Sequence, residues 1–320
     1  MEIVLILISG PTAVGKTKVG IKVCQKLGKA EIISVDSRQI YRYMDIGTAK
    51  PSLEECQGIP HHFIDCLFPT QSINAGEFAR RARIIINQMS VRGVTPVLVG
   101  GSGLYWQAII DGFFEDNSDY SIHRAKLQKR LKENGIECMY RELQRLDPVS
   151  SEKIRKGDRQ RILRALEVYY ANGMTLSQHW LKKQETHVES SVGVLMVAIH
   201  RPRTILYERI NWRVENMLRN GLISEVSNLL SMYRDIEIPV FDTIGYREIR
   251  SYLNGDGDLV SAINDVKQNS RRFAKRQLTF ITKDRRFRSC DIDKYGADDC
   301  ADKIAEHYCR IKSHKSFDTM

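Results

Sequence analysis

The chain has 320 residues, 42% of them apolar and 28% charged, with a formal net charge of +10. That is enough for a sizeable core and for two domains, or one domain with an insertion. No apolar run reaches membrane-spanning length, the first residues lack the basic start of a secretory leader, and seven scattered cysteines without a CxxC pair suit a reducing compartment, so a cytoplasmic monomer that binds no membrane is expected.

Residues Ile3 to Ile8 form a short apolar run that reads as a buried strand. It leads into Gly10, Pro11, Thr12, Ala13, Val14, Gly15, Lys16 and Thr17, the phosphate-loop spacing of glycine, four residues, then Gly-Lys-Thr. Glycine lets the backbone turn tightly and bring its N–H groups against anionic oxygens. Lys16 adds a point charge, and the Thr17 hydroxyl suits a Mg²⁺ shared with the phosphates. The helix that must follow has Val19, Val23 and Leu27 on one face and Gly28 as its stop. The loop by itself indicates a di- or triphosphate site, not which compound fills it.

A second strand, Glu31 to Val35, ends at Asp36. Ligands of open α/β sheets sit beyond the carboxyl ends of the strands, which delivers Asp36 to the crevice of the phosphate loop as a base or an indirect metal partner. A helix cap is its plainer role. Lys50, in the loop between Gly47 and Pro51, is read as a solvated lysine. His61 and His62 fall on a short strand, where neighbours point to opposite faces and do not share a metal. Ser72 to Arg92 reads as a helix buried through Phe78, Ala82, Ile85 and Met89, with Arg80, Arg81 and Arg83 in solvent. Val94 to Val99 is a third buried strand. It ends in Gly100-Gly101-Ser102-Gly103, a turn offering backbone and hydroxyl donors where a typical ATPase has a magnesium-binding aspartate.

From about Asp116 the composition changes. Residues 121–190 carry 15 Lys/Arg against 9 Asp/Glu with helical patterning throughout. Ile122, Leu127 and Leu131 line one helix that Gly135 ends; Asp147 with Pro148, and Asp158, open two more. Strand character returns at Val194 to Ile199. The predicted fold is therefore an α/β, phosphate-loop-NTPase-like parallel sheet flanked by helices, with an all-helical insertion. The core occupies 1–115 and 191–320, and the insertion 116–190. In the last third, Arg209 and Arg213 lie one turn apart on a helix, Gly245 breaks the chain, and Asp258 caps a long helix. Between Asp265 and Arg288 there are nine Lys/Arg and two Asp/Glu. Lys267, Arg271 and Lys275 make a basic stripe suited to a phosphate backbone, and Phe273 and Phe280 fall with Ile263 and Val266 on a stripe read as core. Cys290, Cys300, His307 and Cys309 match no zinc spacing and read as ordinary residues.

Six runs taken together resemble the tRNA dimethylallyltransferases, the IPP transferase family: GPTAVGKT at Gly10, SVDSRQIYRYMDIGTAKP at Ser34, PVLVGGSGLY at Pro96, DRQRILRALEV at Asp158, IGYREI at Ile244 and RRFAKRQLTF at Arg271. They occur in order over nearly the whole chain. The sequence departs from the family at Ser102, where threonine is usual, and at Phe280, where tryptophan is usual. The lack of a C-terminal zinc finger resembles the bacterial or organellar type. The resemblance implies transfer of a dimethylallyl group from its diphosphate to N6 of the adenosine 3′ of the anticodon, with Mg²⁺ as cofactor, the anticodon stem-loop of tRNA as partner, and the base taken out of its stack. It implies a diphosphate site at Gly10 to Thr17 with Arg213, Asp36 as general base and Ser102 as an orienting hydroxyl. It also implies tRNA contacts at Asp36, Ser37, Arg38, Gln39 and Ser102; at Gln160, Arg161, Ile162, Leu163 and Arg164; at Thr243, Ile244, Gly245, Tyr246, Arg247 and Glu248; and at Lys275, Arg276, Gln277, Leu278, Thr279, Phe280, Ile281 and Thr282.

Two other readings share parts of this pattern. A kinase phosphorylating a nucleoside or other small molecule would use the same loop and Asp36, with the insertion as a lid, but leaves the basic stripe without a purpose. An RNA-binding module with a vestigial loop leaves the intact Lys16, Thr17 and Asp36 without one.

Overall fold

The apolar runs become the strands of one sheet. A computed structural model of the chain describes residues 3–112, 120–185, 192–234, 236 and 238–317. The chain divides into two units, Met1–Gly112 with Ser191–Met320, and Phe113–Ser190. The boundaries expected at 115/116 and 190/191 fall outside the described residues.

In the first unit, β1 (Ile3–Ser9), α1 (Lys16–Leu27), β2 (Ala30–Ser34), β3 (His61–His62), α2 (Ala75–Val91), β4 (Thr95–Val99) and α3 (Gly103–Asp111) come first. In the second unit, α4 (Ser121–Leu146), α5 (Pro148–Lys153), α6 (Arg159–Asn172) and α7 (Leu176–Glu185) follow. The first unit resumes with β5 (Val192–His200), α8 (Arg203–Arg219), α9 (Leu222–Met232), a 3₁₀ turn (Pro239–Asp242), α10 (Tyr246–Leu253), α11 (Leu259–Ile281), β6 (Arg288–Asp291) and α12 (Ile292–Phe317).

The sheet order is β3-β2-β4-β1-β5-β6, and every pairing is parallel. Leu7 of β1 registers with Leu98 of β4 and Met196 of β5. Parallel sheets are covered on both faces, so their strands are apolar throughout instead of alternating. Accordingly Ile6, Leu7 and Ile8 are fully buried, each contributing about 1.5–3 kcal/mol of transfer free energy. On one face Ile6 and Ile8 share a core with Val19 and Val23 of α1 and Ile304 and Tyr308 of α12. β1 lies between β4 and β5: the chain runs from β1 past β4 to β2 on one side, and later from β4 across β1 to β5 on the other. This is the switch point at which such sheets bind ligands.

Asn74, Asp147, Asp158 and Asp258 each accept an N–H from the first turn of the helix they open. α2 starts at Ala75 and not at Ser72, and its buried face runs through Phe78, Ala82, Ile86 and Met89, with Ile85 only half-buried. Arg83 is not a solvated side chain: it donates to the carbonyls of Ala108 and Ile109 near the end of α3. Arg80 and Arg81 both pair with Glu77. Gly135 takes φ +72° and breaks α4, as expected, but Ile122 is exposed and Leu127 carries the buried face. The second unit has its own core of Leu127, Met139, Leu143, Ile154, Ile162 and Leu166. No helix among the described residues is long and apolar enough to cross a membrane.

Candidate functional site

At the end of β1 the phosphate loop closes because its glycines leave room for backbone. A Cβ on Gly10 would lie 2.6 Å from the Ile199 carbonyl, and Gly15 starts α1 at φ +107°. The loop carbonyls are tied away from the crevice. Arg209 Nε donates to Ala13 O at 3.0 Å and Arg201 Nε to Val14 O at 3.0 Å, and Arg201 also pairs with Asp293. Lys16 Nζ donates to Pro11 O at 2.8 Å. With the carbonyls engaged, the opening turn of α1 presents N–H groups and the positive end of its dipole.

Beside it, Asp36 follows β2. Its Oδ1 accepts from Arg38 N at 2.8 Å and Gln39 N at 3.3 Å, which fixes the carboxylate as the cap of a tight turn. The glycine turn after β4 crosses directly over this segment: a Cβ on Gly100 would sit 2.0 Å from Val35 O, so only glycine fits. Ser102 Oγ accepts from Ser37 N at 3.0 Å. The hydroxyl therefore holds the backbone next to Asp36, one residue from the carboxylate.

The helices supply the opposite side. Arg213 of α8 donates to the Thr48 carbonyl at 3.1 Å. Burial lowers the basicity of Arg213, with Asp36 opposing that shift. Burial brings the Lys16 ammonium down to about 8, opposed by the Asp36 carboxylate and reinforced by Arg213. Two cations and one carboxylate thus share one partly desolvated space, an arrangement suited to a multiply charged anion. Gln277 of α11 joins the two sides: its Oε1 accepts from Thr12 N at 2.8 Å and its Nε2 donates to Gly101 O at 3.0 Å.

Between the two sides lies a crevice of about 530 Å³ belonging wholly to the first unit. Of the residues singled out in the sequence, Thr12, Lys16, Thr17, Asp36, Ser37, Arg38, Gln39, Ser102, Arg213, Thr243, Ile244, Gly245, Arg247, Arg276 and Gln277 line it. Gln160, Arg161, Leu163 and Arg164 are on α6 of the second unit and at least partly exposed, whereas Ile162 is fully buried in that unit's core, so its side chain is closed to RNA. Tyr246 and Ile281 are likewise buried, and Glu248 bonds Gly245 N, Asn269 and Arg247 internally. Lys275 and Thr279 are exposed on α11, while Phe280 packs edge-on to Trp106 at 5.5 Å.

Three further expectations change. Lys50 is not solvated: its ammonium pairs with Asp45 and Asp65 at 2.5 Å each and donates to Tyr41 O. The basic stripe is partly spent inside the fold, because Lys267 pairs with Glu215 at 2.8 Å and Arg271 bonds Asn211 at 2.6 Å. Phe273 is not core but a partly exposed crevice-lining ring, with Arg276 over it at 5.7 Å. The crevice also takes Gly47, Thr48, Ala49, Ile210, Val214, Met217, Val266 and Arg272, which sequence reasoning left out. The GTAKP run was itself a signal for the first three. The apolar residues from α8 and α11 gave none, since they look like ordinary helix core.

The donor set suits magnesium in the way that ion is usually held, by few protein oxygens and several from phosphate. Thr17 and Asp36 both line the crevice, and among the described residues no three His, Cys, Asp or Glu side chains converge on a closed cation cage.

Fold and site define a phosphate-loop α/β protein whose crevice is walled on one side by strand-end turns and on the other by basic helices. Residues 39–284 match the family model described as IPP transferase, and the chain belongs to that family. It is 43% identical to the tRNA dimethylallyltransferase of Carboxydothermus hydrogenoformans over 94% of this chain and 96% of that protein. The tRNA isopentenylpyrophosphate transferase from Bacillus halodurans aligns with a TM-score of 0.70 at 34% identity, covering 98% of this chain and 100% of that one. A eukaryotic dimethylallyltransferase acting on tRNA aligns at 25% identity with a TM-score of 0.72, covering 90% of this chain and 74% of its own.

Proposed function

We propose that this chain transfers the dimethylallyl group of dimethylallyl diphosphate to N6 of the adenosine 3′ of the anticodon in tRNA and releases diphosphate. The observation that carries this is the meeting of Lys16, Arg213 and Asp36 in one crevice that also opens onto Arg247, Arg272 and Arg276. The first two cations and the loop N–H groups stabilise the charge that grows on the departing diphosphate as the allylic C1–O bond breaks. The adenine amine, a weak nucleophile, forms the N6–C1 bond, and its proton goes to Asp36. The Ser102 bond to Ser37 N keeps that carboxylate's turn in place. Ile210, Val214 and Met217, on the same helix as Arg213, give the hydrocarbon tail an apolar wall. Magnesium would be held by the Thr17 hydroxyl and would add neutralising charge on the diphosphate.

The test is incubation of the full chain with an anticodon stem-loop and labelled dimethylallyl diphosphate, with and without Mg²⁺. Label on N6 of the target adenosine is expected. An unlabelled stem-loop, or label passing instead from γ-labelled ATP to a small acceptor, would overturn the proposal in favour of a kinase.

A further inference from the structure

Behind the Gly47–Ala49 stretch that lines the crevice sits a carboxylate that the reaction does not use. Glu225, on α9, points its carboxylate into the turn Asp45-Ile46-Gly47. Oε2 accepts from Asp45 N at 2.9 Å and from Ile46 N at 2.8 Å; Oε1 accepts from Gly47 N at 3.0 Å and from the Tyr246 hydroxyl at 2.5 Å. Three successive backbone N–H groups curved around one acceptor make a nest, the motif that elsewhere captures phosphate. Here it is filled from within by a side chain 180 residues away in sequence. The turn has little freedom left. Thr48 Oγ1 donates to Met44 O at 2.6 Å, and a Cβ on Gly47 would sit 2.4 Å from the Tyr246 ring. That ring is fully buried beneath it.

What this rigid turn shows to the crevice is the Thr48 carbonyl, which accepts from Arg213 at 3.1 Å. Arginine has a long, rotamer-rich stem, and fixing its planar head before an anion arrives removes an ordering cost from binding. We propose that Glu225 is a positioning residue for the diphosphate: it locks the Asp45–Ala49 turn into a shelf whose Thr48 carbonyl aims Arg213. The proposal rests on the reading of the crevice as a diphosphate site. It gives Tyr246, whose ring is fully buried, a role as the strut under the shelf.

The test measures inorganic pyrophosphate binding to the full chain by calorimetry for wild type, Glu225→Gln, Arg213→Met and the double variant. An amide at 225 turns donors toward donors, so Glu225→Gln should weaken binding about tenfold, within the range of coupled contacts. Arg213→Met should weaken it more. The double variant should bind like Arg213→Met alone, because the shelf acts only through that arginine. Amide exchange at Asp45, Ile46 and Gly47 should accelerate while β1 keeps its protection. Effects that multiply in the double variant, or wild-type affinity in Glu225→Gln, would overturn the proposal. If Glu225→Gln does not fold, Tyr246→Phe removes one of the four donors and keeps the ring. A loss of about two- to threefold that vanishes in Arg213→Met is then expected, and one that persists there overturns the proposal. Pyrophosphate binding without prenylation of the stem-loop would sink the functional reading and leave the shelf standing.

Discussion

The two sides of the crevice are built by different rules. The strand-end side consists of three short turns, Gly10–Thr17, Asp36–Gln39 and Gly100–Ser102, shaped by turn hydrogen bonds and by glycines where no side chain fits, with Arg201, Arg209 and Gln277 tying the first of them from across the fold. The helix side, from α8 to α11 with the Asp45–Ala49 turn, is held by side chains reaching across long sequence distances: Glu225 to Asp45, Lys267 to Glu215, Gln277 to Thr12. Local turns give fixed donors and a fixed base, which suits chemistry. Helices with side-chain ties give an adjustable surface, which suits a large polyanion. The strand-end side should therefore govern turnover and the helix side RNA affinity, while diphosphate affinity draws on both, through Lys16 on one side and Arg213 on the other.

The sharpest way to break this division is Asp36→Asn. Turnover should fall by at least ~10²-fold, the usual scale for losing a general base, with pyrophosphate affinity little changed. A variant that turned over normally but lost RNA would move Asp36 to the other side of the comparison. Next comes Lys16. Its ammonium titrates at about 8 in the free protein, so it is charged below that pH and neutral above it. Pyrophosphate affinity should fall by about tenfold from pH 7 to 9 through this group, and the Lys16→Met variant should lack that component, measured as the difference between the two calorimetric profiles. Thr17→Val should raise the Mg²⁺ concentration for half-maximal turnover several-fold in the stem-loop assay, about the effect of deleting one ligand. Replacing Lys275 and Arg276 together by alanine should lower the salt slope of RNA binding by about 2 and leave turnover at saturation unchanged. Lys267→Ala should leave that slope where it is, because Glu215 already occupies its charge. A loss of slope there would mean that RNA displaces Glu215.

What could be read from the residues follows the same line. The buried strands β1, β2, β4 and β5, the helix after the phosphate loop and the caps Asp147, Asp158 and Asp258 are contiguous signals, and they fell within a residue or two of where periodicity and capping chemistry put them. Lys50, Arg83, Lys267 and Arg271 were read as solvated or free because one sequence does not reveal which distant carboxylate or carbonyl a cation will meet. Phe273 and Tyr246 exchanged their expected places for a related reason. Both lie beside arginines on amphipathic stretches, and tertiary packing separates them: Tyr246 is closed in against Gly47 and Glu225, whereas Phe273 faces the crevice. The buried face of α2 takes Ile86 and not Ile85, because both positions lie on the apolar side of a 3.6-residue repeat and only packing selects between them.

The register of the sheet has a consequence for how the molecule is made. β1 pairs along its whole length with β5, about 190 residues further along the chain. At ribosomal speeds of about 5–20 residues per second, the most apolar strand waits roughly ten to forty seconds for that neighbour. The helical unit encoded between β4 and β5 depends on local contacts and can close first. The nascent chain is therefore expected to hold a finished insertion beside an unfinished sheet, with β1 as the segment that a chaperone would have most reason to shield.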